Sequence, residues 1–386
     1  MTSNPESLSI KNITVLGSGI MGHGIAQVSA MSGYNVVLRD IEQQFLDKAM
    51  EKIKWSLEKL VSKEKITKEQ ADAILSRIKT KVDLKEAVQS ADLVIEAVPE
   101  IMDLKKKVYS ELDAVADKRI VFASNTSTLP ITEIANTTNR PQKFIGIHFF
   151  NPPQLMKLVE VIPGQKTAKE VLDLTVDFVK SVKKEPVVCK KDVPGFIVNR
   201  LFIPMVHEAC WLRQRQNLKL EEIDSAVKFR MGFPMGIFEL ADFTGMDVIH
   251  KATVELELRD KKVIFPHPDV ERLYNEKKLG QKSGEGFYKY SDDKYERIQL
   301  DEELAKKCNP IQLVANILNN AAWLVTNKAS DISEIEKAAQ LGLGLKKPIF
   351  ETAKEFGIKN IVSELNELAK KYGSFYEPDP LLVSMS

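Results

Sequence analysis

Cysteine is scarce: Cys189, Cys210 and Cys308 are the only three in 386 residues, with no CxxC pair among them. That argues against a disulfide framework or a cysteine-ligated metal centre, and no metal site is expected; buried thiols in a reducing compartment fit better. Long apolar runs are missing too, none approaching the ~20 residues that a membrane helix needs. Excess charge of either sign is absent, with 55 Lys plus Arg against 54 Asp plus Glu. A net charge of +1 gives no bulk reason to expect nucleic acid or an anionic membrane as partner. Met1 to Lys11 is polar, contains Pro5 and Glu6, and lacks the apolar centre of a secretion signal. What is present, 44% hydrophobic and 28% charged residues, describes a folded cytoplasmic protein. At roughly 150 residues per domain it predicts two or three of them.

The first half alternates strand and helix. Asn12–Leu16 is a short apolar run meeting Gly17, the pattern of a buried parallel strand. Helical periodicity follows over Ile20–Ser32, then strand-like runs at Tyr34–Leu38, Leu93–Ala97, Ile120–Ala123, Phe144–Phe149 and Leu158–Ile162. Lys166–Val182 has helical spacing, and Pro186–Cys189 reads as one more edge strand. The predicted fold class is α/β plus all-α, opening with a Rossmann-like, doubly wound parallel sheet. Residues 42–80 are too long for one crossover. Phe45, Met50, Ile53, Leu57 and Leu60 recur there at helical spacing, predicting a helical hairpin insertion. Its Lys-rich face suits either solvent or a phosphate-bearing ligand.

After Pro194 the pattern is helical, over Ile197–Arg213, Leu220–Val227 and a further block from about 300. Sliding residues 206–249 by 112 positions onto 318–361 gives 13 identities in 44 places without a gap. Trp211 meets Trp323, Gly232 meets Gly344, and Ile237-Phe238-Glu239 meets Ile349-Phe350-Glu351. Rare Trp and paired glycines make coincidence a poor explanation, so two related helical C-terminal domains are expected. The expected division is 1–190, 191–296 and 297–386. Asn199 falls on Ile311 under the same shift, so chemistry carried by Asn199 is missing from the second copy.

Gly17-Ser18-Gly19-Ile20-Met21-Gly22 is a GxGxxG that follows a strand and opens a helix, and Asp40 closes the second strand 18 residues after Gly22. That context predicts a dinucleotide whose pyrophosphate sits on the helix N-terminus. Asp40 would take the adenosine ribose hydroxyls and repel a 2′-phosphate, favouring NAD over NADP, although Arg39 beside it suits NADP. Glu96 and Glu100 lie at the end of the next strand run, followed by Lys105, near the carboxyl ends of the strands where such folds bind ligands. A helix N-terminal acid and a solvated lysine would fit the same spacing.

Ser124-Asn125-Thr126-Ser127 follows one strand, His148-Phe149-Phe150-Asn151-Pro152 ends the next, and Glu160 lies in the strand after that. A His and a Glu on neighbouring strands can pair, the carboxylate fixing the ring tautomer. Such a pair could remove an alcohol proton while a hydride leaves. A core histidine and an edge carboxylate are the alternative on this pattern alone.

The run His148-Phe-Phe-Asn-Pro-Pro-Gln-Leu-Met-Lys-Leu-Val-Glu160 resembles the signature of the L-3-hydroxyacyl-CoA dehydrogenases, nearest to 3-hydroxybutyryl-CoA-type members. Ala123–Ser127, Pro194–Arg200, Met235–Leu240 and Gly284–Tyr288 resemble further family motifs, in family order. The resemblance implies NAD-dependent, reversible oxidation of a 3-hydroxyacyl-CoA, with His148 as general base and Glu160 as its orienting partner. It places Ser127 and Asn199 on the substrate oxygen and Asn151 beside the reacting groups. Gly17, Gly19, Ile20, Met21, Gly22 and Asp40 would hold the dinucleotide; Glu100 and Lys105 would lie near the nicotinamide ribose. Thr128 and Gln154-Leu155 depart from the family pattern and could alter the acyl pocket. Related single-copy proteins dimerise through their helical domain. A monomer or homodimer is therefore expected, the second copy standing where a partner subunit would. A dehydrogenase of a non-CoA hydroxy or sugar acid, and a crystallin-like NAD-binding protein, are the competing readings.

Overall fold

Asn12–Leu16 (β1) is buried from Ile13 onward, as a strand covered on both faces must be. The computed structural model describes residues 9–290 and 299–386, and its chain forms two units, 1–192 and 193–386. The N-terminal stretch up to residue 8 and the expected domain edge at 296/297 lie outside the described residues.

In the first unit β1 leads into α1 (Ile20–Met31) and β2 (Asn35–Arg39). The hairpin follows as α2 (Gln43–Ser62) and α3 (Lys68–Ser76). The start of α3 is fixed by a capping box between Thr67 and Gln70. Ile53 and Leu57 of α2 are buried as their spacing requires. Phe45, however, is 37% exposed, and Leu46 and Ala49 occupy that face instead. A strand missing from the sequence reading, β3 (Ile78–Lys81), closes this segment. Its IKTK sequence has one buried apolar residue, as suits an edge strand guarded by lysines. Then come α4 (Leu84–Val88), β4 (Leu93–Glu96), α5 (Met102–Val115), β5 (Val121–Ser124), α6 (Ile131–Ala135) and β6 (Phe144–Phe149). The unit ends with β7 (Leu158–Pro163), α7 (Lys169–Ser181) and β8 (Glu185–Val188).

The eight strands order as β3-β2-β1-β4-β5-β6-β7-β8. The sheet is mixed, not wholly parallel as expected, because β6 and β7 run antiparallel. The link between them covers only residues 150–157. A parallel crossover needs a dozen or more residues, so the chain must turn back. That reversal sets His148 directly opposite Glu160 in register.

The second unit starts with α8 (Val198–Gln216), α9 (Leu220–Arg230), α10 (Ile237–Thr244), α11 (Met246–Arg259) and α12 (Pro268–Asn275). It continues with α13 (Glu302–Ala305), α14 (Ile311–Thr326), α15 (Ile332–Leu343), α16 (Ile349–Phe356), α17 (Ile358–Tyr372) and α18 (Pro380–Met385). The first residues of α15, α16 and α17 each follow those of α9, α10 and α11 by 112 positions. One carboxylate device recurs with that shift. Asp224 accepts the Phe238 and Glu239 amides at the start of α10, and Glu336 accepts those of Ile349 and Phe350 at the start of α16. A buried triad joins the unit's two halves. The Arg215 guanidinium donates to Glu208 (2.8 Å) and to the Tyr376 hydroxyl (2.7 Å), which itself donates to the other Glu208 oxygen (2.7 Å). No helix among the described residues is long and apolar enough to cross a membrane.

Cys210, isolated in sequence, lies close to His267 and Asp269 in space. Both His267 ring nitrogens are already engaged, Nδ1 by the Asp269 amide and Nε2 by Gln214 Oε1. Asp269 is also surrounded by Arg213 and Arg272, which suits a capped helix start better than a cation. His207, deep in the same layer, accepts the His267 amide at Nδ1 and donates from Nε2 to Thr253 Oγ1 (2.9 Å). Acceptance at Nδ1 needs a neutral ring, and burial pushes its pKa down to about 3. The unfolded ring takes a proton near pH 6.5, so this contribution to stability is present above that pH and is lost as pH falls towards 3. Unfolding titrations of the wild type should show a decline worth roughly 4 kcal/mol across that window. His207→Gln should flatten it.

Candidate active site

The glycine turn begins with Gly17 at φ +92°, a conformation that side chains rarely adopt, with its amide donating to Arg39 O. A Cβ on Gly17 would stand 2.7 Å from Ala97 O, and one on Gly22 would fall on the Gly17 carbonyl itself. Gly17 therefore lets the turn lie against the chain leaving β4, and Gly22 lets α1 start hard against the end of β1. Gly19 caps α1, whose first turn has neither a side-chain cap nor an acidic residue. Its amides remain for an anion. Asp40 closes the turn from β2: Oδ2 accepts both the Ser18 amide (2.7 Å) and the Ser18 hydroxyl (2.6 Å). Ile20 and Ile41, each 63% exposed, flank this turn as apolar walls, and Met21 is half-buried. The residues fit a dinucleotide: a backbone cradle, an uncapped helix start and a carboxylate at the end of β2.

Lys105 is no solvated lysine. It is buried on α5, bonded to Glu96 Oε1 at 2.6 Å and to Glu100 Oε2 at 3.2 Å. Burial works against its charge, yet the two carboxylates hold its pKa above the ordinary value. Glu96 also accepts Ser124 Oγ (2.7 Å). Burial likewise raises Glu100, but Lys105, Thr126 Oγ1 and the Ser127 amide outweigh it and hold the carboxyl below its usual range. Glu100 Oε1 accepts Thr126 Oγ1 (2.6 Å), the Ser127 amide (2.8 Å) and Ser127 Oγ (3.1 Å). The triad thus anchors the whole turn after β5. Lys105→Met leaves the fully buried Glu96 carboxylate without its counter-charge, beside the half-buried Glu100. It should cost about 3–5 kcal/mol in urea unfolding.

On β6 and β7 the His148 ring and the Glu160 carboxylate meet at 2.7 Å, Nδ1 to Oε2, with Glu160 fully buried. A carboxylate only accepts, so Nδ1 carries the proton and Nε2 is the basic nitrogen. Phe150 packs on the imidazole at 4.4 Å between centroids. Asn125, which sequence reasoning passed over, accepts the Phe149 amide (2.8 Å) and ties the turn after β5 to the end of β6. Its only signal was its place in the Ser-Asn-Thr-Ser run. Asn151 is exposed on the turn leaving β6. Asn199 lies in the first turn of α8, in the helical unit. The first unit therefore brings Ser127, Glu100 and Lys105 into one network and His148 and Glu160 into another, joined through Asn125.

A glycine turn fit for a nucleotide on the β1 side of such a sheet and a histidine–carboxylate pair on the far side are the parts that alcohol oxidation requires. That places the protein among the NAD-dependent dehydrogenases. The sequence comparisons narrow this class. Residues 12–193 match the family described as 3-hydroxyacyl-CoA dehydrogenase, NAD binding domain, and residues 195–290 and 312–386 match its C-terminal domain. Rat hydroxyacyl-coenzyme A dehydrogenase, mitochondrial, is 44% identical over 293 residues, covering 74% of this chain and 93% of the rat protein. The 3-hydroxybutyryl-CoA dehydrogenase of Clostridioides difficile is 41% identical over 281 residues, covering 72% of this chain and 99% of its own. The crystal structure of 3-hydroxybutyryl-CoA dehydrogenase from Escherichia coli K12 superposes with a TM-score of 0.86 at 29% identity, over 98% of each chain. The chain belongs to the 3-hydroxyacyl-CoA dehydrogenase family.

Proposed function

We propose that the protein oxidises (S)-3-hydroxyacyl-CoA thioesters at C3, foremost 3-hydroxybutyryl-CoA to acetoacetyl-CoA, and catalyses the reverse reduction. The observation that carries this reading is the His148–Glu160 pair, in register across β6 and β7 at 2.7 Å. Bound NAD supplies the hydride acceptor. His148 Nε2 takes the 3-hydroxyl proton, and the buried Glu160 keeps the ring in the right tautomer and stabilises the imidazolium that forms. Ser127 and Asn199 hold the substrate oxygen, and Asn151 helps to place the reacting carbon. Gly17, Gly19, Ile20, Met21 and Gly22 receive the dinucleotide, and Asp40 selects NAD by its ribose hydroxyls. Glu100 and Lys105 act near the nicotinamide ribose by fixing the turn that carries Ser127.

The helical unit is taken as two domains, 191–296 and 297–386, the second a degenerate copy standing where a partner subunit would. The recurring helix starts and the Asp224 and Glu336 caps support the duplication. Light scattering should then show a monomer. A dimer would count against the substitution of one copy for a partner. The three buried free thiols support a reducing compartment, and the cytoplasm is the proposed location.

The deciding assay compares (S)-3-hydroxybutyryl-CoA with free 3-hydroxybutyrate, and NAD with NADP, extending to acetoacetyl-CoA reduction over several chain lengths. The thioester with NAD should be turned over and the free acid not. Equal rates on the free acid would point to a hydroxy-acid dehydrogenase that uses no CoA.

A further inference from the structure

Gln27 is the one side-chain amide in the apolar helix α1, and it is fully buried. Its Oε1 accepts the side-chain amide of Gln154 at 3.0 Å, and its own Nε2 donates to Ser56 Oγ on α2 at 3.0 Å. Gln154 sits in the turn between β6 and β7, six residues beyond His148, at a position where this sequence departs from the family pattern. α1 passes close beneath that turn: a Cβ on Gly24 would meet the Pro153 ring at 2.9 Å and Gln154 Oε1 at 3.0 Å. The turn is closed by the Leu155 and Met156 amides on Pro152 O, both at 3.0 Å. Its far end is held by Lys184 Nζ on Met156 O (2.8 Å). Gln154 is the side chain that ties its near half to the dinucleotide helix.

We propose that Gln154 is a positioning residue that, through Gln27, fixes the turn after β6, and with it His148 and Asn151, against the helix carrying the nucleotide turn. Ser56 extends the same relay to the hairpin. The inference rests on the reading of His148 as the base. Removing the Gln154 amide leaves Gln27 Oε1 buried without its donor and frees the turn to move. The loss should then fall on the hydride step, because small displacements of reacting groups are costly there.

The test is steady-state kinetics on the full chain, well below its unfolding temperature, with protio and C3-deuterated 3-hydroxybutyryl-CoA. Gln154→Leu should lower kcat about tenfold, raise the deuterium isotope effect on kcat, and leave the KM for NAD within about twofold. Gln154→Glu should recover most of the rate. The Gln27 amide can turn over and donate to the new carboxylate, while the Ser56 hydroxyl donates to Gln27 Oε1. A kcat for Gln154→Leu within about twofold of wild type, an unchanged isotope effect, or a loss that Gln154→Glu does not rescue would overturn the proposal. His148→Gln run alongside separates the two claims. Normal turnover there would sink the base assignment itself, whereas its loss beside a normal Gln154→Leu would sink the relay alone.

Discussion

His148→Gln is expected to lower kcat by about 10²- to 10⁴-fold while NAD affinity stays within about twofold, as the removal of a general base predicts. The asymmetry follows from the sheet. His148 is on β6, whereas the glycine turn and Asp40 follow β1 and β2, so the substitution leaves the dinucleotide cradle intact. Glutamine can preserve one hydrogen bond to Glu160 but cannot take a proton from the substrate hydroxyl. Glu160→Gln should fall in the same direction by a smaller factor. The neutral amide still orients the ring, yet no longer stabilises the imidazolium. Steady-state kinetics paired with NAD titration by calorimetry checks both variants.

Gly22→Ala should weaken NAD binding by about 100-fold or more, a loss of at least ~2.7 kcal/mol. The new methyl would land on the Gly17 carbonyl, and Gly17 is already at φ +92° with Ala97 O behind it. The turn must open or α1 must slide, and either disperses the amides that face the pyrophosphate. Gly19→Ala is the informative contrast, since a Cβ there meets no protein atom within 4 Å. That variant should keep the wild-type unfolding midpoint, so any loss of NAD affinity in it reports contact with the ligand itself. Calorimetry with thermal unfolding of both variants separates a broken turn from a blocked one.

The parts of the fold legible in the sequence were those with a strong local pattern. β1 running into Gly17, and the apolar runs of β6 and β7, carry their own signals of strand and turn. β3 did not, because IKTK hides one buried residue among lysines. The reversal between β6 and β7 depended on the shortness of residues 150–157, a constraint that strand-by-strand reading passes over. The His148–Glu160 pairing could be anticipated only as two residues on adjacent strands. The antiparallel register is what makes it a bond. The Glu96–Lys105–Glu100 triad, with Glu96 and Lys105 buried, was out of reach, since lysine and glutamate ordinarily signal a solvated surface and nothing local marks them as partners. Gln27 did leave a trace, the single amide in the mainly apolar helix IMGHGIAQVSAM. A polar side chain in such a place needs a partner. Sequence alone could not say that the partners were Gln154 and Ser56.

One stopped-flow measurement tests the role of His148 most sharply: NADH absorbance after NAD-saturated protein is mixed with (S)-3-hydroxybutyryl-CoA, for wild type and His148→Gln. The wild type should form NADH rapidly in the first turnover, and the variant, with NAD bound, should form it slower by about two orders of magnitude or more. A first turnover of wild-type speed in the variant would contradict the assignment of the base to the His148–Glu160 pair.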